Sequence, residues 1–301
     1  MKIYLFINDI KDTGFSVTAK IIEYLSSYNA EVLIDDTFGY KLDKNLYNKV
    51  RFITPNELSS DVDFTIVVGG DGTILRASKV LCKLDIPIVG INLGKVGYMA
   101  ELEVNEYEIL SSLLLNAGNS SETVKTDARM MLSCNVFRDE KLVFSGECLN
   151  EAVIAKGDIS RMIDLTLAVD GEVLTDYQCD GVIAATPTGS TAYSMSAGGA
   201  IIDPKIECIS VLPLSPYLSI NSSPIIFSKD TKLEFVYRCV RHNSAYLSID
   251  GGESIRLFDG DRIIITESPY TTKLLRFKKT DFYKLLNAKL ANRISELAQR
   301  G

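Results

Sequence analysis

The chain has 301 residues, 46% hydrophobic and 24% charged, the balance of an ordinary globular protein with room for two domains whose cores need neither disulfides nor metal. Its formal net charge of −7 argues against a nucleic-acid surface or a role on anionic membranes. The same charge repels phosphate, so a phosphate site here has to be built locally, from backbone N–H groups, a few Lys or Arg side chains and a divalent cation. Six cysteines, at 82, 134, 148, 179, 208 and 239, never fall at the close spacing of a zinc or redox motif, and read as reduced, mostly buried thiols of a cytoplasmic protein. The apolar run at residues 3–7 is too short for a signal-peptide core, and no stretch is long enough to span a bilayer. With a single histidine, His242, a Ser-His-Asp triad or a multi-histidine metal site has to be built around that residue or not at all. A general base is therefore expected to be a carboxylate.

Along the first hundred residues strand-like and helix-like segments alternate: 3–7, an amphipathic run at 17–25, 31–34, a polar stretch, 63–68, a helix opened by Thr73, and 86–91. This alternation predicts a parallel sheet with crossover helices. No Gly-x-Gly-x-x-Gly follows the first strand and no Gly-x-x-x-x-Gly-Lys-Ser/Thr occurs, so neither a standard Rossmann dinucleotide site nor a P-loop is expected. Instead Gly69-Gly70-Asp71-Gly72-Thr73 stands between the third strand and its helix. Glycines let a bulky anion approach the backbone closely, and a helix start adds partial positive charge, so a phosphate fits here. An aspartate in such a loop repels phosphate unless it takes a proton from an attacking hydroxyl or holds Mg²⁺, and both jobs belong to phosphoryl transfer. A ligand-free Gly-Asp-Gly turn is the alternative.

Next comes Gly90-Ile91-Asn92-Leu93-Gly94-Lys95-Val96-Gly97-Tyr98, a glycine-rich loop suited to the carboxyl ends of parallel strands. After the polar stretch at 116–126 the pattern changes to short β runs: hairpins at 131–137/142–148 and 163–169/173–177, and strands at 181–185, 232–237, 245–249 and 262–266. Asn150-Glu151 could read an adenine edge and ribose hydroxyls, or could be a solvated turn. Asp180-Gly181 and Asp250-Gly251-Gly252 read first as hairpin turns. Residues 186–199 are dense in hydroxyls and small side chains, a surface suited to a flat polar ligand such as a purine. From Asp281 the pattern turns helical, with Phe282, Leu285, Leu286, Leu290, Ile294 and Leu297 on one face, as for an amphipathic helix docked on the body. The expected organisation is an α/β domain over 1–115, a β-rich domain over 126–270 and a C-terminal segment over 271–301 packing back on the first domain.

In this order the segments resemble the NAD kinase family, over almost the whole chain. The resemblance is carried by Asn8 and Lys11 after the first strand, Gly69–Thr73, Gly90–Gly94, Asn150-Glu151, the Thr186–Tyr193 loop and Asp250-Gly251. Diacylglycerol and sphingosine kinases share the Gly-Gly-Asp-Gly-Thr motif but lack the Asn-Glu pair and the Thr186–Tyr193 loop. The resemblance implies an α/β domain with a parallel sheet joined to an all-β-rich domain, and transfer of the γ-phosphoryl of ATP, or of polyphosphate, to the 2′-hydroxyl of the adenosine ribose of NAD, giving NADP with Mg²⁺. It implies that Asp71 is the base, that Gly69, Gly70, Gly72, Thr73 and Arg76 meet the phosphates, and that Asp71 and Gly72 also touch NAD. Glu151 is implied to grip ribose hydroxyls; Tyr98, Asn150, Thr188, Thr191 and Ala192 to surround the adenine, with Tyr193 beside them; and Asp180 and Ser196 to lie toward the nicotinamide riboside. A homodimer or homotetramer is implied too. Tyr98 stands where the family usually has Phe, Tyr217 where His is common, and Gly252 where Gln is common. A lipid kinase and a non-catalytic NAD(H) sensor are the competing expectations.

Overall fold

A computed structural model describes residues 1–94, 97–115, 124–217, 222–240, 243–278 and 282–298, the side chains of residues 289 and 292–298 excepted. Lys95 and His242 lie outside the described residues. The chain forms two compact units, one of residues 1–128 with 272–301 and the other of residues 129–271.

In the first unit β1 (Lys2–Ile7), β2 (Glu31–Asp35), β3 (Arg51–Ile53), β4 (Phe64–Gly69) and β5 (Ile88–Asn92) form a parallel sheet in the order β5-β4-β1-β2-β3. The two-residue β6 (Leu102–Glu103) runs parallel to β5. All six residues of β4 and all five of β5 are buried, the unbroken apolar reading that a sheet covered on both faces demands. Helix α1 (Ser16–Ser26) buries Thr18, Ile21, Ile22 and Leu25, and α2 (Asp71–Leu81) buries Ile74, Ala77, Ser78 and Leu81, each a single stripe at helical spacing. The expected opening of α2 at Thr73 is corrected. The helix starts at Asp71, with Gly70 extended as its N-cap, because the amides of Thr73 and Ile74 already bond the Gly70 carbonyl at 2.8 and 3.1 Å. A short α3 (Ser111–Leu114) follows β6.

The second unit takes up the chain within β7 (Lys125–Arg138), which forms a hairpin with β8 (Lys141–Cys148) through Asp139 and Glu140, both at positive φ. The next strands are β9 (Glu151–Lys156), β10 (Ile163–Val169), β11 (Glu172–Cys179) and β12 (Gly181–Ala185), and after α4 (Tyr193–Ser196) come β13 (Cys208–Leu214) and β14 (Ile225–Ser228). The last are β15 (Leu233–Arg238), β16 (Ala245–Ile249), β17 (Ser254–Leu257) and β18 (Arg262–Arg276). One antiparallel sheet has the order β14-β13-β12-β9-β16-β17; β11, β10, β15 and the first part of β18 pair antiparallel in another. A single core draws on both sheets, with Leu132, Ile154, Leu165, Val182, Ile209, Phe235 and Leu247 among its members.

Beyond residue 271 the chain returns to the first unit, where Leu274 of β18 pairs in parallel with Ile88. Helix α5 (Phe282–Ala298) follows; Phe282, Leu285 and Leu286 are half-buried and Leu290 is exposed, while the side chains of Ile294 and Leu297 lie outside the described residues. All six cysteines are free thiols, five of them buried and Cys239 exposed.

Candidate active site

In the first unit the carboxyl ends of β1, β4 and β5 converge. Asn8, just past β1, donates its amide to the Val68 carbonyl at 2.9 Å and its side-chain Nδ2 to Thr73 Oγ1 at 3.0 Å. The Leu93 amide bonds the Gly69 carbonyl at 2.7 Å. The glycines of the motif are not there for a left-handed backbone, since Gly69, Gly70 and Gly72 all lack positive φ. Gly69 is there for room: a Cβ on it would stand 2.3 Å from Thr73 Oγ1. Lys11 Nζ would stand 3.0 Å from a Cβ on Gly70, which puts a cation over the N-terminus of α2. Asn92 is 2% exposed; its Nδ2 donates to the Gly94 carbonyl at 2.8 Å, and its buried Oδ1 has no partner among the described residues. Thr73 is buried, whereas Gly72 and Arg76 are exposed.

Asp71, the first residue of α2, is half-buried. Its carboxylate accepts the backbone amides of Tyr98 at 2.7 Å, Met99 at 3.1 Å and Ala100 at 3.4 Å. Gly97 makes this approach possible, since a Cβ there would lie 1.9 Å from Asp71 Oδ1. The loop that supplies these amides is itself braced. Arg276 donates to the Met99 carbonyl at 2.9 Å, to Glu101 Oε2 at 3.1 Å and to Asp127 Oδ2 at 3.1 Å, while Glu101 Oε1 accepts the amides of Phe277 and Lys278. Arg276 and Glu101 have no motif to mark them, and the sequence reading misses both. Tyr98, half-buried, thus reaches Asp71 through its backbone amide.

In the second unit a site forms where one strand starts and its two neighbours end. Antiparallel pairing sets Glu151, the first residue of β9, opposite Ala185, the last of β12, and Ala152 opposite Ile249, the last of β16. Asn150-Glu151 is therefore flanked by the loop after β12 and by the turn after β16. In that turn Asp250 and Gly251 both have positive φ, and the Asp250 carboxylate accepts three successive amides: Leu149 at 2.9 Å, Asn150 at 2.7 Å and Glu151 at 3.1 Å. On the other side Thr186 Oγ1 donates to the Leu149 carbonyl at 2.6 Å, and the Thr186 amide bonds the Asn150 carbonyl at 2.8 Å. Gly189 lets the loop close on that carbonyl, because a Cβ there would lie 2.1 Å from the Asn150 oxygen.

Several hydroxyls of this loop are bonded back into the fold. Ser190 Oγ donates to the Pro187 carbonyl and accepts the Ile202 amide, Thr191 Oγ1 donates to the Thr188 carbonyl, and Thr186 Oγ1 accepts the Gly189 amide. Thr188 is buried and its Oγ1 accepts Nη1 of the buried Arg129 at 3.3 Å, a contact no motif announces. Thr191 and Ala192 are half-buried, while Tyr193 and Ser196 are exposed. Asp180, at the junction of β11 and β12, is ion-paired with Lys156 at 2.6 Å. Glu151 is 6% exposed, and its buried Oε2 has no partner among the described residues. Burial first, and the charge of Asp250 second, push its carboxyl up to about 7, against one backbone N–H from Tyr193.

An α/β unit with a helix N-terminus opening at the ends of parallel strands, followed by a β unit presenting a buried carboxyl, is the two-domain frame that the comparisons match to nucleotide kinases. The ATP-NAD kinase N-terminal domain family matches residues 3–119, and the ATP-NAD kinase C-terminal domain family matches residues 149–277. A Natranaerobius thermophilus protein named NAD kinase is 37% identical over 283 residues, 93% of this chain and 94% of its own length. Among solved structures, an Archaeoglobus fulgidus NAD kinase in complex with ATP is similar with a TM-score of 0.71 and 27% identity, over 97% of this chain and 99% of that one. The fold is also that of a yeast NADH kinase complexed with NADH, with a TM-score of 0.84 and 23% identity, over 97% and 87% of the two chains. The chain belongs to the NAD kinase family.

Proposed function

We infer that this protein transfers the γ-phosphoryl of ATP to the 2′-hydroxyl of the adenosine ribose of NAD, giving NADP and ADP. The observation that carries the reading is the Asp71 carboxylate, held by the Tyr98–Ala100 amides at the N-terminus of α2. In the step proposed, the 2′-oxygen attacks the γ-phosphorus, the bond from that phosphorus to the β,γ-bridging oxygen breaks, and the hydroxyl proton passes to Asp71. The loop of Gly69, Gly70, Gly72 and Thr73, with Lys11 and Arg76, meets phosphate oxygens at the start of α2, where a helix N-terminus and cations are worth most; the Thr73 amide itself is held by the Gly70 carbonyl. In the second unit Glu151 takes ribose hydroxyls, Asn150, Thr188, Thr191, Ala192 and Tyr193 take the adenine, and Asp180 and Ser196 take the nicotinamide riboside. The Archaeoglobus fulgidus complex supports ATP over polyphosphate as donor.

The Mg²⁺ ion in this reading is carried on the nucleotide's own phosphates and neutralises their charge. A homodimer or homotetramer is part of this reading, on the family resemblance alone, and the free thiols support a cytoplasmic setting. No helix among the described residues is long and apolar enough to cross a membrane. A lipid kinase is not favoured, since both NAD kinase domain families match. The test is Asp71→Asn, nearly isosteric but unable to take the proton. Loss of a general base costs about 10²- to 10⁴-fold in rate, so kcat should fall by that order while the Kd for NAD stays within a few-fold. A variant with normal kcat would rule Asp71 out as the base.

A further inference from the structure

Asp250 lies 99 residues beyond Glu151 in the chain, yet the two are locked together: the Glu151 amide reaches Asp250 Oδ1 at 3.1 Å, and the Asp250 amide returns to the Glu151 carbonyl at 3.0 Å. With the Leu149 and Asn150 amides also on its carboxylate, Asp250 pins the backbone of three residues at the entry to β9. An ordinary two-residue hairpin turn needs only positive φ at its central positions, and Asn or Gly would supply that. A carboxylate turned across the sheet onto the neighbouring strand does something further. It fixes where the Glu151 side chain leaves the backbone, while Glu151 Oε2 remains buried without a partner among the described residues.

We propose that Asp250 is a positioning residue for the NAD ribose: by gathering the Leu149, Asn150 and Glu151 amides it holds the Glu151 carboxyl in place to accept ribose hydroxyls. The proposal rests on the reading of Glu151 as the ribose-binding group. Three elements pack against that carboxyl: the β16–β17 turn brings Asp250, the end of β8 brings the Cys148 thiol, and α4 brings the Tyr193 amide. After burial, Asp250 is thus the neighbour whose replacement changes the electrostatic field at Glu151.

The test titrates NAD, and separately ATP with Mg²⁺, into the whole protein by calorimetry between about pH 5.5 and 9, for wild type, Asp250→Asn and Glu151→Gln. Wild-type affinity for NAD should rise with pH through about 7, as Glu151 ionises and becomes a full acceptor, and Glu151→Gln should flatten that dependence. Asp250→Asn keeps a residue that tolerates positive φ but loses one oxygen acceptor and the charge. Its midpoint should move down by about one pH unit. At pH 9 its NAD affinity should remain about tenfold weaker, the cost of a misdirected charge-assisted bond, with ATP affinity retained and the thermal unfolding midpoint lowered only as far as one lost hydrogen bond requires. An Asp250→Asn curve that superimposes on wild type overturns the proposal. So does a variant that loses NAD and ATP affinity together, unfolds at lower temperature and keeps the wild-type pH midpoint, for that is a merely structural role. If Glu151→Gln itself keeps wild-type NAD affinity and pH dependence, the ribose reading fails and takes the positioning role with it.

Discussion

In the function proposed, Glu151 sets stability against binding at a single carboxyl. Its folded value of about 7 lies above the ordinary 4.5, so the fold favours the protonated form. That contribution is complete below about pH 4.5 and is lost as pH rises through 7; ionising the buried group then costs on the order of 3 kcal/mol. Glu151→Gln cannot ionise, so its stability relative to wild type should improve between pH 5 and pH 8 by up to roughly 3 kcal/mol, while NAD affinity at pH 8 falls about ten- to a hundredfold. Urea unfolding at the two pH values checks the first part. A stability difference independent of pH would mean that the carboxyl is not held protonated by its surroundings. The candidate residues of each unit stand out in the sequence, because Gly-Gly-Asp-Gly-Thr in the first and Asn-Glu in the second are local motifs. Their partners do not: Arg276 meets the Met99 carbonyl across 177 positions and Asp250 meets Asn150 across 100, and no local pattern encodes such distances.

At the level of elements, the loop from Thr186 to Tyr193 is shaped by its fit against Asn150 more than by exposed hydroxyls. Gly189 is where that fit is tightest, since the atom facing a new Cβ is a backbone carbonyl and cannot swing aside. Gly189→Ala should therefore destabilise the protein by about 1–3 kcal/mol, the usual cost of overpacking, and weaken NAD binding by moving Asn150. Thermal unfolding and an NAD titration of the variant test this together; unchanged values in both would show the loop to be more yielding than its packing implies. The parallel strands are legible because β4 and β5 are unbroken buried runs, and the β7–β8 hairpin because turn residues separate two β-rich segments. β13 is hidden by Pro213, a residue that argues against a strand. The fold accommodates it because β14 pairs only with Cys208–Val211, leaving Pro213 with a partner on one side alone. The start of α2 is misread by two residues because Gly70, not a side-chain capping residue, opens it.

At the scale of the molecule, a chain with a net charge of −7 has to bring together two polyanionic substrates. Backbone dipoles and a few cations such as Lys11 and Arg76 do not balance that charge, so turnover should require a divalent cation and stop in excess EDTA. Restoration by added Mg²⁺ is the expected control, and undiminished turnover in EDTA would contradict the electrostatic argument. The most direct measurement is to incubate the purified protein with NAD, ATP and Mg²⁺ and to assay NADP with an NADP-specific dehydrogenase, following ADP in parallel. The account predicts NADP and ADP formed in equal amounts, and neither product in measurable excess. Bound NAD with no NADP formed, under conditions where the protein is folded and ATP binds, would contradict it and leave a nucleotide-binding protein without the phosphoryl transfer.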